Sequence, residues 1–177
     1  AKDNAIPRSC EALLVSQTPD FAERFEAAKA ACLAALPATE PHAVITCEAA
    51  EAAQAMTAEC SAAALDLLGE LPNGVQAMSA DIEGLVQTSL NLGIVKTAQE
   101  SVTMTFSVRS SVGAEKTALL TRLQALAEKY GAAYGQMGEY PAWEYRKDSC
   151  LRETMVETFA ALYGKKPVVD VIHAGLE

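Results

Sequence analysis

The sequence is short of most of the patterns by which an enzyme declares its chemistry. It has two histidines, His42 and His173, too few for an ordinary His/carboxylate metal centre. Its five cysteines, Cys10, Cys32, Cys47, Cys60 and Cys150, are odd in number, widely spaced and without a C-x-x-C pair. That spacing supports neither a disulfide framework nor a zinc site, and it predicts small buried hydrophobes in a reducing compartment. No G-x-S-x-G elbow is present, so a nucleophilic serine has no visible seat. No apolar run approaches the roughly 18–20 residues that span a bilayer. The opening residues AKDNAIPR hold no apolar h-region, so no signal peptide is expected. Basic residues are scarce as well: 14 Lys and Arg stand against 23 Asp and Glu, a net charge of −9. Nucleic acid and anionic membrane are therefore poor partners, and the expected location is the cytoplasm.

What is present is a normal supply of core-forming residues. Half of the 177 residues are hydrophobic and 21% are charged, which suits one globular domain or a little more. Residues 4–16, NAIPRSCEALLVS, read as an extended segment. In TPDFAERFEAAKAACLAAL, Thr18 is a candidate N-cap with Pro19 at the first helical position, and Phe21, Phe25, Ala28, Cys32 and Leu36 share a helical face. A short strand is expected at Val44–Cys47. A second, alanine-rich helix follows Thr57 and is broken by LPNGV.

The clearest pattern lies in the middle of the chain. In GLVQTSLNLGIVKT, Val86, Leu90, Leu92 and Ile94 are expected on one face, and Gln87, Ser89, Asn91 and Gly93 on the other. After the turn AQES, Val102, Met104, Phe106 and Val108 alternate with Thr103, Thr105, Ser107 and Arg109. Period-two alternation in both runs predicts an antiparallel hairpin with one apolar and one hydroxyl/amide face. A helix over 113–130 then places Leu119, Leu123, Leu126 and Tyr130 on one side, with Gly131 as its C′ residue. Strands are expected over 132–140 and 166–175, and a helix over 150–163 ending at Gly164. The fold class predicted is α+β, a mainly antiparallel sheet with helices packed on one face; the element order expected is β-α-β-α-β-β-α-β, then α-β.

Arg109 poses a question. It stands among small hydroxyls with no acidic residue on the polar face of its own hairpin, Glu100 at the turn excepted. A guanidinium so placed suits bidentate recognition of a carboxylate or phosphate brought by another molecule. Periodicity alone takes the reading no further than a sheet face fit for an anion.

Several stretches together carry a resemblance. NAIPR, PNGVQAMSADIEGLVQTSLNLG, SVRSSV, YPAWEYRKDS and GKKPVVDVIHAGLE, in that order, resemble the bacterial aminoacyl-histidine dipeptidases, the Xaa-His or carnosine-splitting enzymes of the two-metal aminopeptidase/carboxypeptidase superfamily. Residues 18–70 add only a helical pattern. The resemblance implies a ferredoxin-like lid and dimerisation domain over 1–140, incomplete at its N-terminal side, and the first part of the return to a catalytic domain over 141–177. It implies that Asn4 and Arg109 bind the substrate carboxylate. It implies no catalytic residue and no metal ligand in this chain; two divalent metals, zinc by resemblance, and the glutamate base belong to other parts of the parent hydrolase. The piece alone is expected to be inactive and homodimeric, with a dipeptide as the parent's substrate. The resemblance assigns no role to His173, which is expected to pack at a strand end. Trp143 is expected to anchor the domain boundary by packing. Two other readings stand beside this one: a free-standing α+β module for small anions or oligomerisation, and an autonomous enzyme using His173.

Overall fold

In the computed structural model, which describes residues 2–52 and 54–175, the elements run α1 (Phe21–Ala35), α2 (Ala58–Glu70), β1 (Gly74–Met78), β2 (Val86–Thr97), β3 (Val102–Ser110), α3 (Gly113–Lys129) and α4 (Cys150–Tyr163). The chain divides into two units, one of Ala1–Arg8 with Glu59–Glu177 and one of Ser9–Ala58. The boundary expected at 140/141 falls inside the first.

The first unit is built on a three-stranded antiparallel sheet in the order β1-β2-β3. The hairpin forms as the alternation predicts: Thr88 faces Ser110, Ser89 faces Arg109, Leu90 faces Val108 and Leu92 faces Phe106. Its apolar face meets α3. Leu90, Leu119 and Leu123 form the buried centre, with Leu71, Phe106, Val108 and Tyr134 packed around them. Ala127 continues the buried stripe one turn on, the i, i+4, i+8 spacing of a helix laid on a sheet. The predicted α+β class is thus borne out.

The ends of α3 are held by identifiable contacts. Ser110 Oγ accepts the Val112 N–H at 3.0 Å just ahead of the helix. At the other end Gly131 adopts φ 68°, which lets Ala132 N donate to Ala127 O at 2.8 Å and Gly131 N to Glu128 O at 3.1 Å. This is a Schellman closure, which needs a residue at ease with positive φ. Near the same end, Glu70 of α2 accepts from Lys129 Nζ at 2.6 Å and from Tyr130 Oη at 2.7 Å. α4 begins with Ser149 as N-cap, its side chain accepting from Arg152 N, and ends at Gly164 in the left-handed region, as the sequence suggests.

Several expectations are corrected. Among the described residues, 4–16, Val44–Cys47, 132–140 and 166–175 form no strand. A strand needs a ladder partner for its N–H and C=O groups, and these segments have none there. The element order is α-α-β-β-β-α-α rather than the alternating one. β1, hidden in the supposed breaker LPNGV, is a short strand paired irregularly with β2.

Ile94 also changes face. A bulge between Leu92 and Ile94 leaves Gly93 as the extra residue, so Ile94 faces Thr105 and Val95 faces Met104. In the second unit, α1 starts after Asp20 rather than Thr18, with Phe21 N bonded to the Thr18 carbonyl at 3.2 Å. Its half-buried stripe is Phe21, Phe25, Lys29 and Leu33, while Ala28, Cys32 and Leu36 are exposed. All five cysteines are exposed and form no disulfide. The expectation that they are buried fails because no residue of α1 is buried and α2 buries only Leu67. Trp143, expected to pack, is 70% exposed, since no element of its unit closes over it.

Candidate functional site

The site is the polar face of the hairpin, opposite the α3 core. Side chains alternate along a strand, so burying Leu90 on one side sets Ser89 and Asn91 on the other. Ser89 faces Arg109 directly across the ladder, and Asn91 faces Ser107. A half-buried guanidinium thus stands over a row of small hydroxyl and amide groups.

Arg109 has no carboxylate partner among the described residues. The ion pairs there join Lys29 to Glu26, Lys116 to Glu139 and Lys129 to Glu70. The acid nearest in kind, Glu115, is engaged elsewhere: its carboxylate accepts from Gln87 Nε2 at 2.7 Å and from the buried Thr88 hydroxyl. Thr88 Oγ1 also lies 2.8 Å from Ser110 Oγ, so the one buried polar side chain is fully engaged.

Two segments distant in sequence reach this face. From the N-terminal side, Asn91 Nδ2 donates to the backbone carbonyls of Ala5 at 2.9 Å and Asp3 at 3.4 Å. These bonds bracket Asn4, whose own side chain is exposed. Gly93 makes the approach possible: a Cβ there would lie 2.7 Å from Asp3 Cα and 2.8 Å from its carbonyl carbon. From the C-terminal side, His173 Nε2 lies 2.8 Å from Ser89 Oγ, and the imidazole tautomer decides which of them donates.

His173 titrates below its ordinary value of 6.5. Burial of the ring is the larger cause, the Arg109 guanidinium adds to it, and a hydrogen bond with the Val86 backbone opposes both. His173 is therefore neutral at pH 7.

The structure thus gathers Arg109, Ser89 and His173 into one cluster and clips the Asn4 segment to the same sheet face two residues along β2. The strand-end packing expected for His173 is corrected: the ring rests against the hairpin, because residues 166–175 form no strand to carry it elsewhere. The last two residues of the IHAGLE motif, Leu176 and Glu177, lie outside the described residues. Alternation made Ser89 and Asn91 legible as polar-face residues. Nothing local signalled that the far end of the chain would meet them.

The arrangement can bind an anion. A planar cationic fork, a hydroxyl and an imidazole edge converge, and the cation has no internal counter-charge. The described residues do not bring three His, Cys, Asp or Glu side chains together as a metal-ligand group, and no described helix is long and apolar enough to cross a membrane.

No protein-family model matches the chain. A curated relative, the cytosol non-specific dipeptidase of Escherichia coli strain K12, is 35% identical over 111 residues, covering 63% of this chain and 23% of the relative. The crystal structure of aminoacylhistidine dipeptidase from Vibrio alginolyticus superposes with a TM-score of 0.75 at 32% identity, covering 89% of this chain and 32% of that one. The chain therefore spans about a quarter to a third of the length of these relatives. The resemblance drawn from NAIPR, TSLNLG, RSS and IHAGLE stands: the chain corresponds to part of a dipeptidase of this kind.

Proposed function

We propose that this chain is the lid part of a metal-dependent cytoplasmic dipeptidase that cleaves Xaa-His dipeptides, and that its task is to hold the substrate's C-terminal carboxylate. The observation that carries the reading is Arg109, a half-buried guanidinium across from Ser89 with no carboxylate partner among the described residues. In this reading the missing partner is the substrate. Asn4 supplies a second polar contact from the segment that Asn91 holds on the same face.

A fork that waits for a carboxylate also measures length. A dipeptide brings its terminus to the fork with its scissile bond in place, whereas a longer peptide puts a neutral amide there. The contribution is therefore positioning. The described residues supply no ligand set for two divalent metals, and the proposal assigns both the metals and the base to other parts of the protein. The same lid pairs two copies of the enzyme through surfaces outside the hairpin's polar face. Alone, the chain is expected not to hydrolyse β-alanyl-histidine.

The test is Arg109→Ala in the full-length dipeptidase. The side chain lies on the face away from Leu90, Leu119 and Leu123, so its loss opens no core cavity. A charge-assisted contact of this type contributes about 1.5–3 kcal/mol, so kcat/KM should fall by about one to two orders of magnitude. Lys should rescue only in part, because an ammonium cannot reproduce the planar fork. Asn4→Ala should act in the same direction, more mildly. A dipeptide amide should be a poor substrate for the wild type and lose little more on Arg109→Ala. Equal turnover of dipeptides and their amides by wild type and mutant would refute the assignment.

A further inference from the structure

We propose that His173 is part of the anion site, and that the Arg109–Ser89–His173 cluster takes up a proton with the carboxylate it binds. The inference deepens the carboxylate reading of Arg109 by adding a residue to it and giving the site a pH dependence.

The argument begins with geometry. His173 Nε2 sits 2.8 Å from Ser89 Oγ, and Ser89 is the direct cross-strand partner of Arg109. Neighbours across an antiparallel ladder have Cβ atoms about 4.5–5.5 Å apart, so a ring bonded to Ser89 lies within reach of whatever the Arg109 fork holds. The contact joins residues 84 apart in sequence, so the tail is carried to this spot rather than left there by local chain geometry. The groups acting on the ring are few: on β3 the Arg109 guanidinium, on β2 the Ser89 hydroxyl and the Val86 backbone. No described carboxylate acts on it.

The consequence follows from charge. With the site empty, a proton on His173 would face the guanidinium in a partly dehydrated place, and both effects keep the ring neutral. A bound carboxylate reverses the second effect. It offsets the charge of Arg109 and offers an acceptor to an imidazolium N–H, a charge-assisted bond that favours the protonated ring. Binding then draws one proton from solvent onto His173. By linkage, affinity for the carboxylate rises as pH falls through the titration of the occupied state. It levels off below the titration of the empty state, which lies under 6.5.

The experiment is a proton-NMR titration of the imidazole signals of this chain. There are only two histidines, and His42 lies in the other unit, where it serves as an internal reference. N-acetylglycine is the probe, because its carboxyl titrates near 3.5, well below the histidine range. N-acetylglycinamide is the uncharged control, and sodium chloride at matched ionic strength controls for screening. The expected result is an upward shift of the His173 titration with N-acetylglycine alone, with His42 unmoved and the shift lost in Arg109→Gln. In His173→Gln, N-acetylglycine affinity followed through hairpin amide signals should become independent of pH between about 5 and 8. A His173 titration indifferent to N-acetylglycine, or moved equally by the amide or by salt, overturns the proposal. So does an unchanged pH dependence in His173→Gln. The outcome is separable from that of the lid reading. If N-acetylglycine shifts His173 while Arg109→Ala leaves dipeptide hydrolysis intact, the anion site stands and the lid role falls. If hydrolysis collapses while His173 stays silent, the reverse holds.

Discussion

Gly93→Ala should detach the N-terminal segment from the hairpin while leaving the core folded. A Cβ at position 93 would sit 2.7 Å from Asp3 Cα and 2.8 Å from its carbonyl carbon, whereas ordinary contact begins at 3.4 Å. The opposing atoms are backbone, so no side-chain rotamer can relieve the overlap, and the two segments must part by about 0.7 Å. The Asn91 bond to Asp3 is already 3.4 Å long and that to Ala5 is 2.9 Å. Such a displacement takes the first beyond hydrogen-bonding range and stretches the second.

Each bond contributes about 0.5–1.5 kcal/mol net, so the clip loses about 1–3 kcal/mol. This loss is local, because Leu90, Leu119 and Leu123 lie on the opposite face. The side-chain amide of Asn91 is the probe: its two N–H signals in a nitrogen-correlated spectrum should shift and exchange faster with water in Gly93→Ala, while the urea midpoint read by circular dichroism barely moves. In the full-length dipeptidase the same change should mimic Asn4→Ala, and combining the two should cost little more than either alone. Unchanged Asn91 signals, or additive kinetic losses, would refute the view that Gly93 and Asn91 together position Asn4.

Leu90→Ala should do the opposite. Leu90 is 2% exposed at the centre of a small core, and truncating such a residue costs about 2–5 kcal/mol; an unaltered urea midpoint would count against this core. The Glu70 carboxyl titrates below 4.5, chiefly because Lys129 and then Tyr130 hydrogen-bond to it. A depressed acid contributes above its unfolded pKa and loses that contribution as pH falls through the folded one, so the α2–α3 tie should release only below pH 4.5. A carbon-NMR titration of Glu70 should show a low midpoint that returns toward the ordinary value in Lys129→Met, and an unmoved midpoint in that variant would sever the link.

The parts legible in the sequence were those in which one residue's neighbours decide its state. The hairpin followed from alternation, α3 from its leucine spacing, and both glycine-ended helices from a cap that only positive φ satisfies. Arg109 stood out because its own strand offers it no acid. The failures share a cause. Residues 132–140 and 166–175 have apolar, strand-like composition, but a strand exists only with a partner, and pairing is not a local property. β1 went unseen because five residues beginning at an Asn-Gly look like punctuation. Ile94 was put on the wrong face because a bulge shifts the period by one without marking the composition. His173 could not be placed because its contact depends on where the whole tail runs.

The position of that bulge links fold to site. Adjacent residues of β2 belong to opposite faces, so a one-residue slip against β3 would drive Ser89 and Asn91 into the core and turn Leu90 toward the anion. The register is unbroken from Thr88–Ser110 through Leu92–Phe106, the stretch that holds both the core leucine and the site residues, and it shifts only beyond Leu92. Leu90 facing Val108 and Leu92 facing Phe106 give that stretch its apolar reason to keep register, with Leu119 and Leu123 closing over it. The extra residue then falls at Gly93, where the absent side chain admits the Asp3 backbone. A bulge two residues earlier would misalign Arg109 with Ser89, and a side chain at position 93 would expel the segment that carries Asn4. The leucines on the hidden face thus fix which polar groups meet on the open one, and the irregularity is confined to the one position where it also brings a second chain segment to the site.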